Sequence, residues 1–210
     1  MPELPPAYFR RQDETPDTRF YQSPRLVAHI DDPAIAALGE FLRPLVPDGA
    51  AVLDLMSAYL THLPPDVRAR CARVAGLGMN DAEMVANAQL TEHVVHSLND
   101  DPRLPYDDAS FDIALCTVSV QYLLRPTEVF TQVQRALRPG APFVVSFSNR
   151  CFPTKAIAAW LGMDDAQHAA LVSYYFTQSG GWDDVQAADI SPAPERSDPL
   201  FVVWARAGQV

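Results

Sequence analysis

Residues 104–116 read LPYDDASFDIALC, a proline and paired aspartates followed by an apolar run that continues to residue 120. Turn-forming residues followed by a mainly apolar run predict a strand buried on both faces. Downstream, residues 127–137 place Val129, Phe130, Val133 and Leu137 at spacings of three and four, which predicts an amphipathic helix. Arg138, Pro139 and Gly140 end that helix, and residues 141–148, APFVVSFS, supply the next buried strand. The stretch therefore reads as strand, helix, strand.

The same alternation extends outward in both directions. Residues 50–56, AAVLDLM, and 73–79, RVAGLGM, are short apolar runs that suit buried strands. Before them, the acidic start and early proline at 32–33 open a helix carrying Ile35, Leu38, Phe41, Leu42 and Leu45. Residues 81–91 form another, with Ala82, Val85, Ala86 and Leu90 on one face and Asn80 as N-cap. Helical stretches are expected near 154–161 and 164–177, and strands around 185–190 and 200–205. Strands alternating with helices predict a mostly parallel sheet covered on both faces, and the last two runs, joined without a helix, are expected to pair antiparallel. The fold class expected is α/β, doubly wound in three layers. Residues 1–30 lack a clean period and are expected to form an N-terminal arm or cap on a single domain spanning 31–210.

The 210 residues suffice for one ordinary core, and 48% hydrophobic with 20% charged residues are globular values. No run approaches the roughly 18 apolar residues of a membrane span, and no apolar stretch follows the N-terminal arginines as in a signal peptide, so a cytoplasmic protein without membrane contact is expected. Cys71, Cys116 and Cys151 are odd in number and contain no CxxC pair, against a disulfide framework or zinc site. A formal net charge of −10 repels nucleic acid and favours a small-molecule substrate as partner. Oligomeric state has no readable motif.

Three stretches together, VLDL at 52–55, LPYDDASFDIALC at 104–116, and LRPG at 137–140 followed by FVVSFS, resemble class I S-adenosylmethionine-dependent methyltransferases of the type 11 group. The resemblance runs over about residues 50–150. It implies a Rossmann-like sheet of seven strands, S-adenosylmethionine as cofactor with S-adenosylhomocysteine as product, and methyl transfer to a small molecule. It places the cofactor's methionine end by Asp54, Met56 and Ser57, its ribose by Gly78, Met79 and Asn80, and its adenine near Leu98 and Asn99; Thr117, toward the carboxyl end of the run at 111–120, joins the cofactor-binding candidates because ligands of an open parallel sheet bind beyond that end. Two departures are written in the same positions. Met56, Ala58 and Leu60 stand where the family keeps three glycines, and Gly78 stands where an acid usually grips both ribose hydroxyls, with Asn80 two residues on as a substitute.

Asp54 is the leading cofactor candidate, because a carboxylate there attracts a sulfonium. The residues themselves also allow Asp54 to cap backbone amides, Ser57 and Asn80 to be loop and N-cap residues, and Asn99 to form a turn. Displacement at a sulfonium can be accelerated by positioning alone, so no catalytic residue is assigned; His62, Tyr21 and Tyr122 are the candidates. No metal is expected, since His29 and His62 form no ligand spacing with acids or cysteines. The rival function is a methyltransferase-like fold without transfer activity, acting as a binding or regulatory module. A nicotinamide oxidoreductase would need a GxGxxG turn that DLMSAYL lacks.

Overall fold

The computed structural model describes residues 4–193 and 195–208; residues 1–3 of the expected arm, and residues 194, 209 and 210, lie outside the described residues. Seven strands, β1 (Ala51–Leu55), β2 (Arg73–Gly78), β3 (Glu92–Val95), β4 (Ile113–Thr117), β5 (Pro142–Phe147), β6 (Trp182–Asp189) and β7 (Phe201–Ala207), form one sheet. Their order is β3-β2-β1-β4-β5-β7-β6. The first five strands pair in parallel, while β7 runs antiparallel to both β5 and β6, as the sequence pattern predicts. The chain steps outward from β1 to β3 and then returns to lay β4 on the other side of β1, so the order reverses between β1 and β4. In open α/β sheets that reversal is where ligands bind, beyond the carboxyl ends of the strands.

Consecutive residues of each buried strand point to opposite layers. In β1, Val52 packs with α2 (Asp32–Leu42) and α3 (Pro65–Arg70), whereas Leu53 packs with the layer built from α5 (Pro126–Ala136), α6 (Ala158–Leu161) and α7 (Asp165–Ser179). Local signals set the helix ends. Asp31 accepts from the Ala34 N–H to cap α2, and Asp164 with Gln167 makes a reciprocal capping box at α7. Within the expected arm, the described residues carry a 3-10 turn at Pro6–Phe9 and one helical turn, α1 (Asp17–Phe20).

Three expectations are corrected. The helix proposed over 81–91 is only α4 (Asp81–Ala86), and its buried face carries Glu83 and Met84, while Ala82, Val85 and Ala86 are exposed. Polar bonds decide that orientation: Glu83 Oε1 accepts from the Arg25 N–H, and just beyond the helix the buried Asn87 Nδ2 donates to the Ala58 carbonyl. Strand β3 follows five residues later, where no strand was expected, because EHVV is a short edge strand with neither an alternating nor a continuous apolar pattern. The helical stretch expected near 154–161 is regular only at Ala158–Leu161, because Lys155 and its neighbours are drawn into contacts with the arm.

Candidate functional site

A cavity of about 480 Å³ opens at the carboxyl ends of β1, β2 and β4, within the range of about 300–1,000 Å³ typical of small-molecule sites. Asp54, Met56 and Ser57 line it from the end of β1, Gly78, Met79 and Asn80 from the end of β2, Leu98 and Asn99 from the loop after β3, and Thr117 from the end of β4. The candidates His62, Tyr21 and Tyr122 face the same space. Sequence spacing alone missed Asp17, Arg25 and Glu83, which also line it. Two of these come from the arm, whose sequence has no period to reveal an inward face.

The glycine-free loop keeps a glycine-like backbone. Met56, where the resemblance places the first glycine, has φ 56°, and His62 and Val118, both on the cavity wall, have φ 64° and 45°. Left-handed conformations cost an L-residue roughly 1–2 kcal/mol, and a β-branched residue such as Val118 adopts one only when its surroundings impose it. Here the Ser57 N–H donates to the Leu77 carbonyl (2.8 Å), drawing the loop over the end of β2. A Cβ at Gly78 would stand 2.0 Å from the Ser57 carbonyl oxygen and 3.0 Å from Met84 Sδ. The close backbone approach therefore makes its demand for glycine on β2, at the position where the resemblance expects an acid. Gly78→Ala is expected to lower stability by about 1–3 kcal/mol, read as a lower denaturation midpoint with an unchanged m-value.

Asp54 is 3% exposed. Ser57 Oγ (2.6 Å) and Thr61 Oγ1 (2.8 Å) both donate to its Oδ2, so Oδ1 takes neither hydroxyl. Burial raises its pKa to about 6, against the lowering effect of those two hydrogen bonds. Among the described residues no Lys, Arg or His lies within ion-pairing reach of this carboxylate. A buried carboxylate on a cavity wall without a cation of its own suits a cationic ligand.

Asn80 and Asn99 are committed to protein partners. Asn80 Oδ1 accepts from the Glu83 N–H as the N-cap of α4, and its Nδ2 donates to the Tyr21 and Gln22 carbonyls. Asn99 Nδ2 donates to Asp17 Oδ2 and the Tyr122 carbonyl, and its Oδ1 accepts from the Leu124 N–H. These bonds tie the arm over the cavity. Lys155, 0% exposed, completes the fastening: its Nζ donates to the Thr15 (2.5 Å) and Asp13 (3.1 Å) carbonyls and lies 3.3 Å from carboxylate oxygens of both Asp13 and Asp17.

The three catalytic candidates separate by environment. Burial holds the Tyr21 and Tyr122 hydroxyls protonated, Tyr122 up to about 12, and the Phe152 N–H donates to the Tyr122 oxygen (2.8 Å). His62 differs. It is 8% exposed, and neither ring nitrogen has a hydrogen-bond partner. Burial, then the nearby His29, lowers its pKa to about 4, leaving a neutral ring with an open acceptor nitrogen in the cavity wall. Among the described residues no group of three or more His, Cys, Asp or Glu could hold a metal ion, and no helix is long and apolar enough to cross a membrane.

The family described as a methyltransferase domain matches residues 57–145, beginning directly after Met56 and so leaving out β1 and the first glycine position. A malonyl-[acyl-carrier protein] O-methyltransferase from Marinomonas is 27% identical over 92 residues, which is 44% of this chain and 33% of that protein. The chain thus spans about a third of that relative. A chain of the complex between the Haloferax volcanii Trm112 methyltransferase activator and a methyltransferase has TM-score 0.63 at 16% identity, covering 85% of this chain and 91% of that one. An S-adenosylmethionine-dependent methyltransferase from Mesorhizobium loti has TM-score 0.54 at 17% identity, covering 81% and 97%. At such identities the structures speak to the fold.

Proposed function

We propose that this chain, which carries a methyltransferase domain of the class I fold, transfers the methyl group of S-adenosylmethionine to a small-molecule acceptor. The observation that carries this reading is Asp54: a buried carboxylate at the order reversal of the sheet, with Oδ1 left by its hydroxyl partners and no cation of its own. Bound there, the cofactor would supply a methyl group on a positively charged sulfur.

The chain's own residues do the rest by binding and orientation. Asp54 attracts the cationic methionine end, while Met56 and Ser57 bring the loop backbone against it. At the end of β2 neither Gly78 nor the committed Asn80 offers a free side-chain acceptor. Glu83 does, because the Arg25 N–H occupies only Oε1, so Oε2 is the acceptor for a ribose hydroxyl. Leu98 gives an apolar face to the adenine end. His62 accepts a hydrogen bond from the acceptor's O–H or N–H and so aims a lone pair at the methyl carbon; it is neutral throughout the range above about pH 5. The arm and the loops after β4 and β5 exclude water from the reaction.

The test is product formation: purified protein with labelled S-adenosylmethionine and a panel of small hydroxylated and amine metabolites, read as S-adenosylhomocysteine and labelled acceptor. Saturable transfer supports the reading. For an acceptor so found, His62→Gln is expected to lower kcat roughly three- to tenfold, the worth of one neutral hydrogen bond, with cofactor affinity within about twofold. No transfer to any acceptor by a protein that binds the cofactor favours a binding or regulatory module.

A further inference from the structure

Resting on that reading of the cavity, we propose that Arg25 is a carboxylate-binding residue, holding an anionic group of a bound small molecule inside the site. Arg25 projects from the arm and lines the cavity. Its guanidinium lies 4.6 Å from the Phe20 ring centroid and 5.1 Å from that of Phe152, between the arm and the loop after β5. Nη2 donates to the Phe20 carbonyl (3.1 Å), which fixes the plane of the fork. Nη1 is buried and has no partner, and among the described residues no carboxylate forms an ion pair with Arg25.

A chain of net charge −10 has acids to spare for a surface arginine, yet this one is held by aromatic rings and one carbonyl, with a donor left over. Neither nearby acid neutralises it: Asp17 is engaged with Arg11, Lys155 and Asn99, and Glu83 meets Arg25 only at its backbone N–H, through Oε1, without a side-chain ion pair. A buried, oriented and unsatisfied guanidinium N–H is costly unless a ligand completes it, and the planar fork matches a carboxylate. Two molecules of the reaction can bring one: the cofactor, through its methionine carboxylate, or the acceptor.

The experiment separates them. S-adenosylhomocysteine and 5′-methylthioadenosine, which lacks the amino-acid end, are titrated calorimetrically into wild type and Arg25→Gln, and benzoate and benzamide into the S-adenosylhomocysteine-saturated proteins. If Arg25 holds the cofactor carboxylate, Arg25→Gln weakens S-adenosylhomocysteine roughly tenfold or more and leaves methylthioadenosine unchanged. If it holds the acceptor, cofactor affinity is unchanged and a preference of about tenfold or more for benzoate over benzamide disappears in the variant. Arg25→Lys, which keeps charge but loses the fork, is expected to recover only part of either effect. Equal behaviour of wild type and Arg25→Gln toward all four probes overturns the proposal, whereas failure of wild type to bind either nucleoside overturns the methyltransferase reading instead.

Discussion

Asp54→Asn is expected to make the protein more stable at pH 7.5 while weakening its hold on S-adenosylmethionine. The Asp54 pKa is raised by burial from 3.8 to about 6. A carboxyl whose pKa is higher folded than unfolded contributes stability that is fully present below the unfolded value and is lost as pH rises through the folded one. Above about pH 6 the folded protein therefore carries a buried carboxylate at a cost of about 3 kcal/mol, taking about 1.4 kcal/mol per pKa unit. Asparagine has the same shape, its Oδ1 accepts from Ser57 and Thr61, and it carries no charge to bury. A gain of about 1–3 kcal/mol at pH 7.5, roughly 2–12 °C in Tm, is expected to vanish at about pH 3, below the unfolded-state value, where the aspartate is protonated both folded and unfolded. Thermal unfolding of the two proteins at both pH values measures it, and the contribution of His62, common to both, cancels. Affinity for S-adenosylmethionine should fall about tenfold or more, and less for S-adenosylhomocysteine, which lacks the sulfonium charge. In wild type the preference for S-adenosylmethionine should fade as pH drops through about 6 and Asp54 takes a proton.

Lys155→Met is expected to unfasten the arm. Its ammonium is buried among two carbonyls and two carboxylates of residues 13–17. Removing one partner of a buried ion pair costs about 3–5 kcal/mol because the remaining charge is left without its counterpart; Asp17 keeps Arg11 at 2.7 Å, so the lower end, about 3 kcal/mol or roughly 6–12 °C in Tm, applies. Because Asp17, Tyr21, Arg25 and His29 line the cavity from the arm, the same variant should lose cofactor affinity and become susceptible to trypsin at Arg19 and Arg25. An unchanged tryptic pattern together with wild-type affinity would mean that the arm packs beside the site without forming it.

The buried core of the sheet is legible because parallel strands covered on both faces are predominantly apolar: β1, β2, β4 and β5 announce themselves as short apolar runs. Strand β3 is not, since a four-residue edge strand with Glu92 and His93 in it carries no period. Helix α4 was seen but turned the wrong way, because Glu83 and Asn87 are inside for their hydrogen bonds, which hydrophobic spacing does not record. The site divides similarly. Strand ends brought Asp54, Gly78 and Thr117 into view, since ligands bind there in this architecture. Arg25 and Lys155 act between segments more than 100 residues apart in sequence, as the Lys155 bond to Asp13 and the stacking of Arg25 on Phe152 illustrate. Only folding makes them neighbours.

The most direct test is calorimetric titration of the purified chain with S-adenosylmethionine and S-adenosylhomocysteine at pH 7.5, followed by thermal unfolding of the saturated protein. The account predicts saturable one-site binding of both, and a stabilisation of about 2.7 kcal/mol at a ligand concentration 100 times the Kd. A folded protein that gives neither heat nor a thermal shift at millimolar concentrations of both would contradict it, leaving a methyltransferase fold whose cavity serves another ligand.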